Sequence, residues 1–276
     1  MSTSTQVRPL GVFDSGVGGL SVMRAIRQEL PAEAVIYLAD QAHVPYGPRS
    51  LEEVRAFSEE ITRFFLSQGV KLVVVACNAA SAAALHHLRK TFPDLPFVGM
   101  EPAVKPAAET TRSGVVGVLA TPATFQGALY ASVIERFAQG VTVLQHTCPG
   151  LVARIEADDL NSGETRLILE KALRPMLAQG IDTVVLGCTH YPFVIPLIQE
   201  IVGPGVRVID PAPAVARQVE RLMDANTMRA LTNTKGGVQY LTSGDETRLE
   251  GMLPALMGEA GKVQAVRWSG GRLNYA

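Results

Sequence analysis

Residues 64–78 read FFLSQGVKLVVVACN, and residues 175–189 read PMLAQGIDTVVLGCT. At a constant offset of 111, Leu66 matches Leu177, Gln68 matches Gln179 and Gly69 matches Gly180. Val73 and Val74 match Val184 and Val185, and Cys77 matches Cys188. Each stretch reads as a helix end, a glycine stop, a continuous apolar run and then a cysteine. An apolar run without polar alternation suits a strand buried on both faces, the condition of a parallel sheet covered by helices. The chain is therefore expected to contain two similar halves. Each half carries one cysteine just past the end of a buried strand.

The same grammar extends outward. Leu10–Phe13, Val35–Ala39, Leu72–Ala76 and Phe97–Gly99 read as strands, alternating with helical patterns at Gly18–Glu29, Leu51–Gln68 and Ser81–Thr91. The pattern restarts with strands Val115–Leu119, Val141–Leu144, Thr183–Leu186 and Val206–Ile209, and with helices Phe125–Phe137, Thr165–Ala178 and Phe193–Val202. Looser echoes flank the repeat: GVF at 11–13 with GVL at 117–119, and MEPA at 100–103 with IDPA at 209–212. Alternation of this kind predicts an α/β fold of two doubly wound domains with largely parallel sheets and right-handed crossovers. Beyond Pro211 come a helix (Ala214–Asp224), a strand (Val238–Leu241), a TSGD turn (242–245), a helix (Glu246–Met257) and a last strand (Lys262–Val266). No low-complexity linker precedes this tail, so it is expected to pack back on the first half. The first domain is then 1–100 plus 211–276, and 101–210 is an inserted second domain.

Composition narrows the class. The 276 residues are 47% hydrophobic and 18% charged, which supports a packed core rather than a disordered chain. Lys plus Arg number 25 against 26 Asp plus Glu, a net charge of −1. Nucleic-acid binders and polybasic membrane proteins carry an excess of positive charge, so neither class is indicated. Three cysteines, Cys77, Cys148 and Cys188, do not make a disulfide framework and point to a reducing compartment. Met1 to Pro9 is polar and lacks the apolar core of a signal peptide. The most apolar stretch, Leu72 to Leu85, contains Asn78 and Ser81 and falls short of the ~20 residues a bilayer demands. A soluble, cytoplasmic protein is expected.

In open α/β sheets, ligands bind outside the carboxyl ends of the strands. Cys77 and Cys188 both fall there, followed by Asn78-Ala79-Ala80-Ser81 and Thr189-His190-Tyr191-Pro192. A thiol at a helix N-terminus lies near free N–H groups and the positive dipole end, which favour the thiolate. Taken singly, each cysteine reads more readily as a buried structural thiol. Taken as a pair, they admit three arrangements. They could hold zinc with His190, although zinc cysteines usually come as C-x₂₋₄-C. They could form a redox disulfide, although there is no C-x-x-C. They could flank a small substrate, one thiol removing a proton from a carbon and the other returning one to the opposite face. Residues 13–19, FDSGVGG, add a glycine-rich turn at a strand end, whose N–H groups suit a carboxylate. The turn is not G-x-G-x-x-G, so a dinucleotide is not indicated. Asp14 could polarise a neighbouring base or ammonium group.

Several motifs together resemble one family. FDSGVGGLSV (13–22), ADQAHVPYG (39–47), VVACNAAS (74–81), CPGLVARIE (148–156), LGCTHYP (186–192) and TSGD (242–245) are similar to those of the bacterial glutamate racemases. The resemblance implies two α/β domains related by a pseudo-twofold with the site between them. It implies interconversion of L- and D-glutamate without cofactor or metal, feeding peptidoglycan synthesis, by a protein that is often a homodimer. It assigns Cys77 and Cys188 as acid/base thiols, assisted by Asp14 and His190, with Glu156 a further carboxylate near the site. Substrate contacts implied by the match are Asp14, Ser15, Tyr46, Gly47, Asn78, Ala79, Thr124, Thr189 and His190. Most members have Thr where Ala79 stands. The missing hydroxyl is expected to cost substrate binding about 1–3 kcal/mol unless Thr124 or water replaces it. The longer N-terminal arm that some members use for regulation by a cell-wall precursor is not expected. Cys148 has no partner in the repeat.

Overall fold

A computed structural model describes residues 8–232 and 234–276. Most of the polar N-terminal stretch lies outside the described residues. The strands are β1 (Leu10–Asp14), β2 (Val35–Ala39), β3 (Leu72–Val75), β4 (Phe97–Gly99), β5 (Val115–Ala120), β6 (Thr142–His146), β7 (Thr183–Gly187), β8 (Arg207–Ile209), β9 (Val238–Thr242), β10 (Val263–Ser269) and β11 (Arg272–Tyr275). They form a seven-stranded sheet, β11-β10-β9-β2-β1-β3-β4, and a four-stranded sheet, β6-β5-β7-β8. All neighbours are parallel except the β10–β11 hairpin. The order β2-β1-β3-β4 in one sheet is repeated as β6-β5-β7-β8 in the other. The α/β fold with largely parallel sheets, expected from the sequence, is present.

The repeat extends to single contacts. Gly69 (φ 71°) and Gly180 (φ 81°) follow the helices Leu51–Ser67 and Gly163–Ala178 in the left-handed region that only glycine enters freely. The central strands β1 and β5 carry Gly11 and Gly117. A Cβ on Gly11 would lie 2.7 Å from the Phe65 ring, and one on Gly117 would lie 2.8 Å from the Met176 sulfur. Phe65 and Met176 occupy matched positions of the quoted stretches. In each half, one helix pushes a large side chain onto the middle strand, and the strand makes room with a glycine. β1, β2, β3 and β7 are buried throughout, which accounts for their unbroken apolar reading.

Local differences have physical causes. The helix expected over 125–137 is two, Pro122–Gln126 and Ala128–Phe137, broken at Gly127. A Cβ there would meet Ala82 at 2.6 Å, so the break lets the chain pass close to the helix Asn78–Thr91. The helix expected from Phe193 is a 3₁₀ turn, Tyr191–Val194, followed by the α-helix Ile195–Val202. Two short helices, Val104–Thr110 and Leu151–Glu156, and the final strand β11 are additional to the sequence reading. Among the described residues no helix is long and apolar enough to cross a membrane.

Candidate active site

Both matched thiols lie where strand ends meet the cleft between the sheets. Cys77 leaves β3 in extended conformation and directly precedes the helix Asn78–Thr91, and Cys188 follows β7. Each is only 5% exposed. Both line one small pocket, together with Ser15, Tyr46, Gly47, Asn78 and Ala79 from the first half and Thr189 and His190 from the second. Of the other residues singled out, Asp14, Glu156 and Thr124 are buried behind this lining.

Behind Cys188 stands a charged relay. Its sulfur lies 3.8 Å from Nδ1 of His190, and Nε2 of His190 lies 2.6 Å from Oε1 of Glu156. The same Oε1 accepts the Val17 N–H at 2.7 Å, and Oε2 accepts the Gln41 side-chain amide at 3.0 Å. Burial alone would lower the His190 pKa. Its bonds to Cys188 and Glu156 and the charges of Asp14 and Glu156 outweigh burial, and the imidazole is pushed well above its ordinary value. Burial likewise works against ionised Glu156, yet the donors His190, Gln41 and Val17 hold its pKa below the usual carboxylate value. Both directions favour the ion-paired form of His190 and Glu156.

Behind Cys77 stands Asp14. Its Oδ2 accepts the Gly19 N–H at 2.9 Å, and Thr189 donates to Oδ1 at 3.4 Å from the opposite half. Burial raises the Asp14 pKa despite the opposing His190 charge and the Cys77 hydrogen bond. For Cys77 the sequence argument needs correction. A helix N-terminus was expected to favour the thiolate. Burial, reinforced by the neighbouring Asp14 charge, pushes this thiol well above its ordinary value, against a weaker contribution from the Ala80 N–H. The two cysteines thus sit in unlike settings: a carboxyl beside one, an imidazolium beside the other.

The FDSGVGG turn also works differently from the simplest reading. Its N–H groups at Val17 and Gly19 point to the protein's own carboxylates, Glu156 and Asp14. Its glycines admit close neighbours. A Cβ on Gly18 would lie 2.7 Å from Cε1 of His190 and 2.8 Å from Oδ2 of Asp14, and one on Gly16 would lie 2.6 Å from the carboxyl carbon of Glu156. Tyr37 fixes the turn by donating to the Gly16 carbonyl at 2.6 Å.

Asn78 is a pocket-lining side chain whose polar atoms the fold leaves open. Its Oδ1 and Nδ2 are buried, and neither has a partner. Such a group costs stability and in native proteins usually awaits a ligand or water. Across the pocket, Thr121 was not singled out from sequence, yet it lines the site, with its hydroxyl 3.1 Å from that of Thr124. Thr124 therefore stands one step back. Asp40, also unremarked, accepts from Tyr46 at 2.6 Å, Ser243 at 2.7 Å and Trp268 at 2.7 Å, with His43 Nδ1 at 2.8 Å. It fastens the Tyr46–Gly47 wall of the pocket to the C-terminal strands. The ADQ…PYG spacing was visible in the sequence, but a hub of four partners drawn from residues 43 to 268 was not.

A family model described as Asp/Glu/Hydantoin racemase matches residues 10–219. The chain belongs to this family. It is an isomerase, an amino-acid racemase. It is 52% identical over 255 residues to a glutamate racemase of Ectopseudomonas mendocina, covering 92% of this chain and 97% of the relative. Its fold superposes on a glutamate racemase of Bacillus anthracis with a TM-score of 0.84 at 32% identity, covering 95% of this chain and 98% of that one. It is also similar to the Escherichia coli glutamate racemase solved with L-glutamate and the activator UDP-MurNAc-Ala (TM-score 0.81, 34% identity, covering 94% and 97%). Cys77 and Cys188 lie just past equivalent strands, β3 and β7, of the two sheets.

Proposed function

We propose that the protein interconverts L- and D-glutamate by a two-base proton transfer between Cys77 and Cys188, without cofactor, and so supplies D-glutamate for peptidoglycan. One observation carries this reading: two thiols from equivalent strand ends enter one small pocket, each backed by its own acid–base partner. The curated relatives at about half identity support glutamate as the substrate.

Removing an α-proton from an amino acid builds negative charge beside an existing carboxylate. Preorganised donors in a dry site offset that charge. Asn78, with two unpartnered polar atoms, and Thr189 are placed to bind the substrate's polar groups, with Ser15 and the Tyr46–Gly47 backbone opposite. One cysteine, as thiolate, takes the α-proton and becomes a thiol. The other thiol delivers its proton to the opposite face of the carbanion and becomes the thiolate. Cys77 takes the proton from D-glutamate and Cys188 from L-glutamate. The His190–Glu156 pair stands beside Cys188 and orients it, and Asp14 takes up or returns a proton beside Cys77. Asp14, Glu156 and Thr124 act from behind the lining. The same reading includes a domain division at 100/101 and 210/211, a homodimer, and a cytoplasmic location.

The test is a chiral assay with L-glutamate, and L-aspartate alongside, using protein stripped of pyridoxal phosphate and metals. Formation of D-glutamate with solvent deuterium at the α-carbon is expected. Cys77→Ser and Cys188→Ser should each abolish net racemisation. Full racemisation in both directions by both variants would refute the two-base mechanism.

A further inference from the structure

The TSGD turn is prominent in the sequence, yet none of its residues enters the pocket. Its contacts show where it acts. Thr242, at the end of β9 and fully buried, donates to Oε1 of Gln41 at 2.8 Å. Ser243 donates to Asp40 at 2.7 Å and accepts the Ala42 N–H at 2.9 Å. A Cβ on Gly244 would lie 2.6 Å from the Gln41 Cβ, so the glycine is what lets the two segments touch. Asp245 caps the helix Glu246–Met257 by accepting the Arg248 N–H at 3.0 Å. Three successive residues of the turn thus grip residues 40–42 from one side.

Gln41 turns that grip toward the catalytic centre. Its oxygen accepts from Thr242, and its NH₂ faces the other way and donates to Oε2 of Glu156 at 3.0 Å. Glu156 ends the helix Leu151–Glu156 of the second half, so this bond crosses between the two sheets. Its other oxygen is the one that meets His190. A carboxylate pinned at one oxygen by Val17 and at the other by Gln41 cannot rotate away from the imidazole. The amide orientation is set by the carboxylate, which can only accept and so requires the NH₂ at its end; the threonine hydroxyl then donates to the amide oxygen.

We propose that Gln41, held by Thr242 of the TSGD turn, is a positioning residue that fixes Glu156 and through it the orientation and protonation of His190 beside Cys188. This rests on the two-thiol reading above for its catalytic consequence, though not for its effect on the imidazole. Groups facing the His190–Glu156 pair are Asp14 from β1, Cys77 and Cys188 from the two strand ends, and Tyr37 from β2. The guanidinium of Arg248 also lies close by, donating to the Glu156 backbone carbonyl at 2.5 Å. None of these groups is altered by the substitutions below.

The sign is fixed by the bond. Gln41 favours ionised Glu156, and ionised Glu156 favours the imidazolium. Gln41→Leu leaves Oε2 without its donor, raises the Glu156 pKa, and lowers that of His190. The test has two arms. The first follows the His190 ring in ¹⁵N-labelled protein through a pH titration. Its apparent pKa should fall by about one unit in Gln41→Leu and in Thr242→Val, and return in Thr242→Ser, which keeps the hydroxyl. The second measures kcat/KM against pH in both directions. The limb governed by His190 should move to lower pH, the Cys77 limb should stay, and kcat should fall about tenfold. Unfolding midpoints identify any variant that merely fails to fold, and Thr242→Ser supplies the well-folded comparison. An unchanged His190 titration in a folded Gln41→Leu protein overturns the proposal. So does an equal effect of Thr242→Ser and Thr242→Val. If the wild-type protein turns over no glutamate, the function proposed above fails while the imidazole titration still decides the role of Gln41.

Discussion

Replacing Gly16 by alanine should separate the site's geometry from its inventory of residues, because the change removes no side chain from the site. The added Cβ would lie 2.6 Å from the carboxyl carbon of Glu156. That is almost 1 Å inside an ordinary carbon–carbon contact of about 3.5 Å. Tyr37 holds the Gly16 carbonyl at 2.6 Å, so the turn cannot easily retreat and the carboxylate must move. Moving it stretches two charge-assisted bonds, to the Val17 N–H at 2.7 Å and to His190 at 2.6 Å. Hydrogen bonds to charged groups contribute about 1.5–3 kcal/mol each. With partial recovery by water, the net loss is about 2–4 kcal/mol of the free energy that holds the relay in place. At about 1.4 kcal/mol per decade, kcat should fall roughly 30- to 1,000-fold in each direction. The assay is polarimetric racemisation from each pure enantiomer, with urea unfolding in parallel. Gly163→Ala, where an added Cβ meets nothing within 4 Å, is the control and should retain full activity. Wild-type kcat and midpoint in Gly16→Ala would refute the argument that Glu156 is held in contact with this turn.

Asn78→Ala should raise KM about ten- to a hundredfold while leaving the thermal midpoint unchanged or higher, because the amide has no partner in the protein. Lys71 and Glu33 form an ion pair at 2.6 Å with both side chains buried, so Lys71→Met should cost about 3–5 kcal/mol in urea unfolding. The double variant Lys71→Met with Glu33→Leu should recover much of that loss. Burial raises the Asp182 pKa, but donors at Ser113, Thr111 and Arg112 outweigh it and hold the carboxyl at about 2, against 3.8 in the open chain. A depressed folded pKa stabilises above the unfolded value and loses that contribution as pH falls. Asp182→Asn should therefore be less stable at pH 7 by about 1 kcal/mol after solvent screening, with the gap closing between about pH 4 and pH 2. Gly251, in the interior of the helix Glu246–Met257 with open space around it, should accept alanine with a gain of about 1 kcal/mol in chemical denaturation.

The order of elements was legible because the decisive strands are buried on both faces and their apolar runs are unbroken. Cys77 and Cys188 were legible because a residue-by-residue repeat set them apart from Cys148. The helices Val104–Thr110 and Leu151–Glu156 were not read, since six or seven residues give too little period to distinguish from a loop. β11 was missed although its signal is present: Gly270 (φ 56°) and Gly271 (φ 75°) make the two-residue turn of a hairpin. The failure at Cys77 is of another kind. A helix terminus is visible in a sequence, but the depth at which it is buried and the carboxyl beside it are properties of the assembled halves. The same holds for Thr121, Gln41 and Asp40, whose partners lie as far as 228 residues away in the chain.

Trp268 is the protein's sole tryptophan. Its indole N–H ends on Asp40, and its ring meets His43 edge-on at 4.9 Å and Phe57 at 5.8 Å. Asp40 also holds Tyr46, which lines the pocket. The molecule therefore carries a native fluorophore wired to one wall of its own cleft. Any ligand that shifts Tyr46 acts on the indole's polar and aromatic surroundings through Asp40, so emission wavelength and intensity are a label-free readout of that wall.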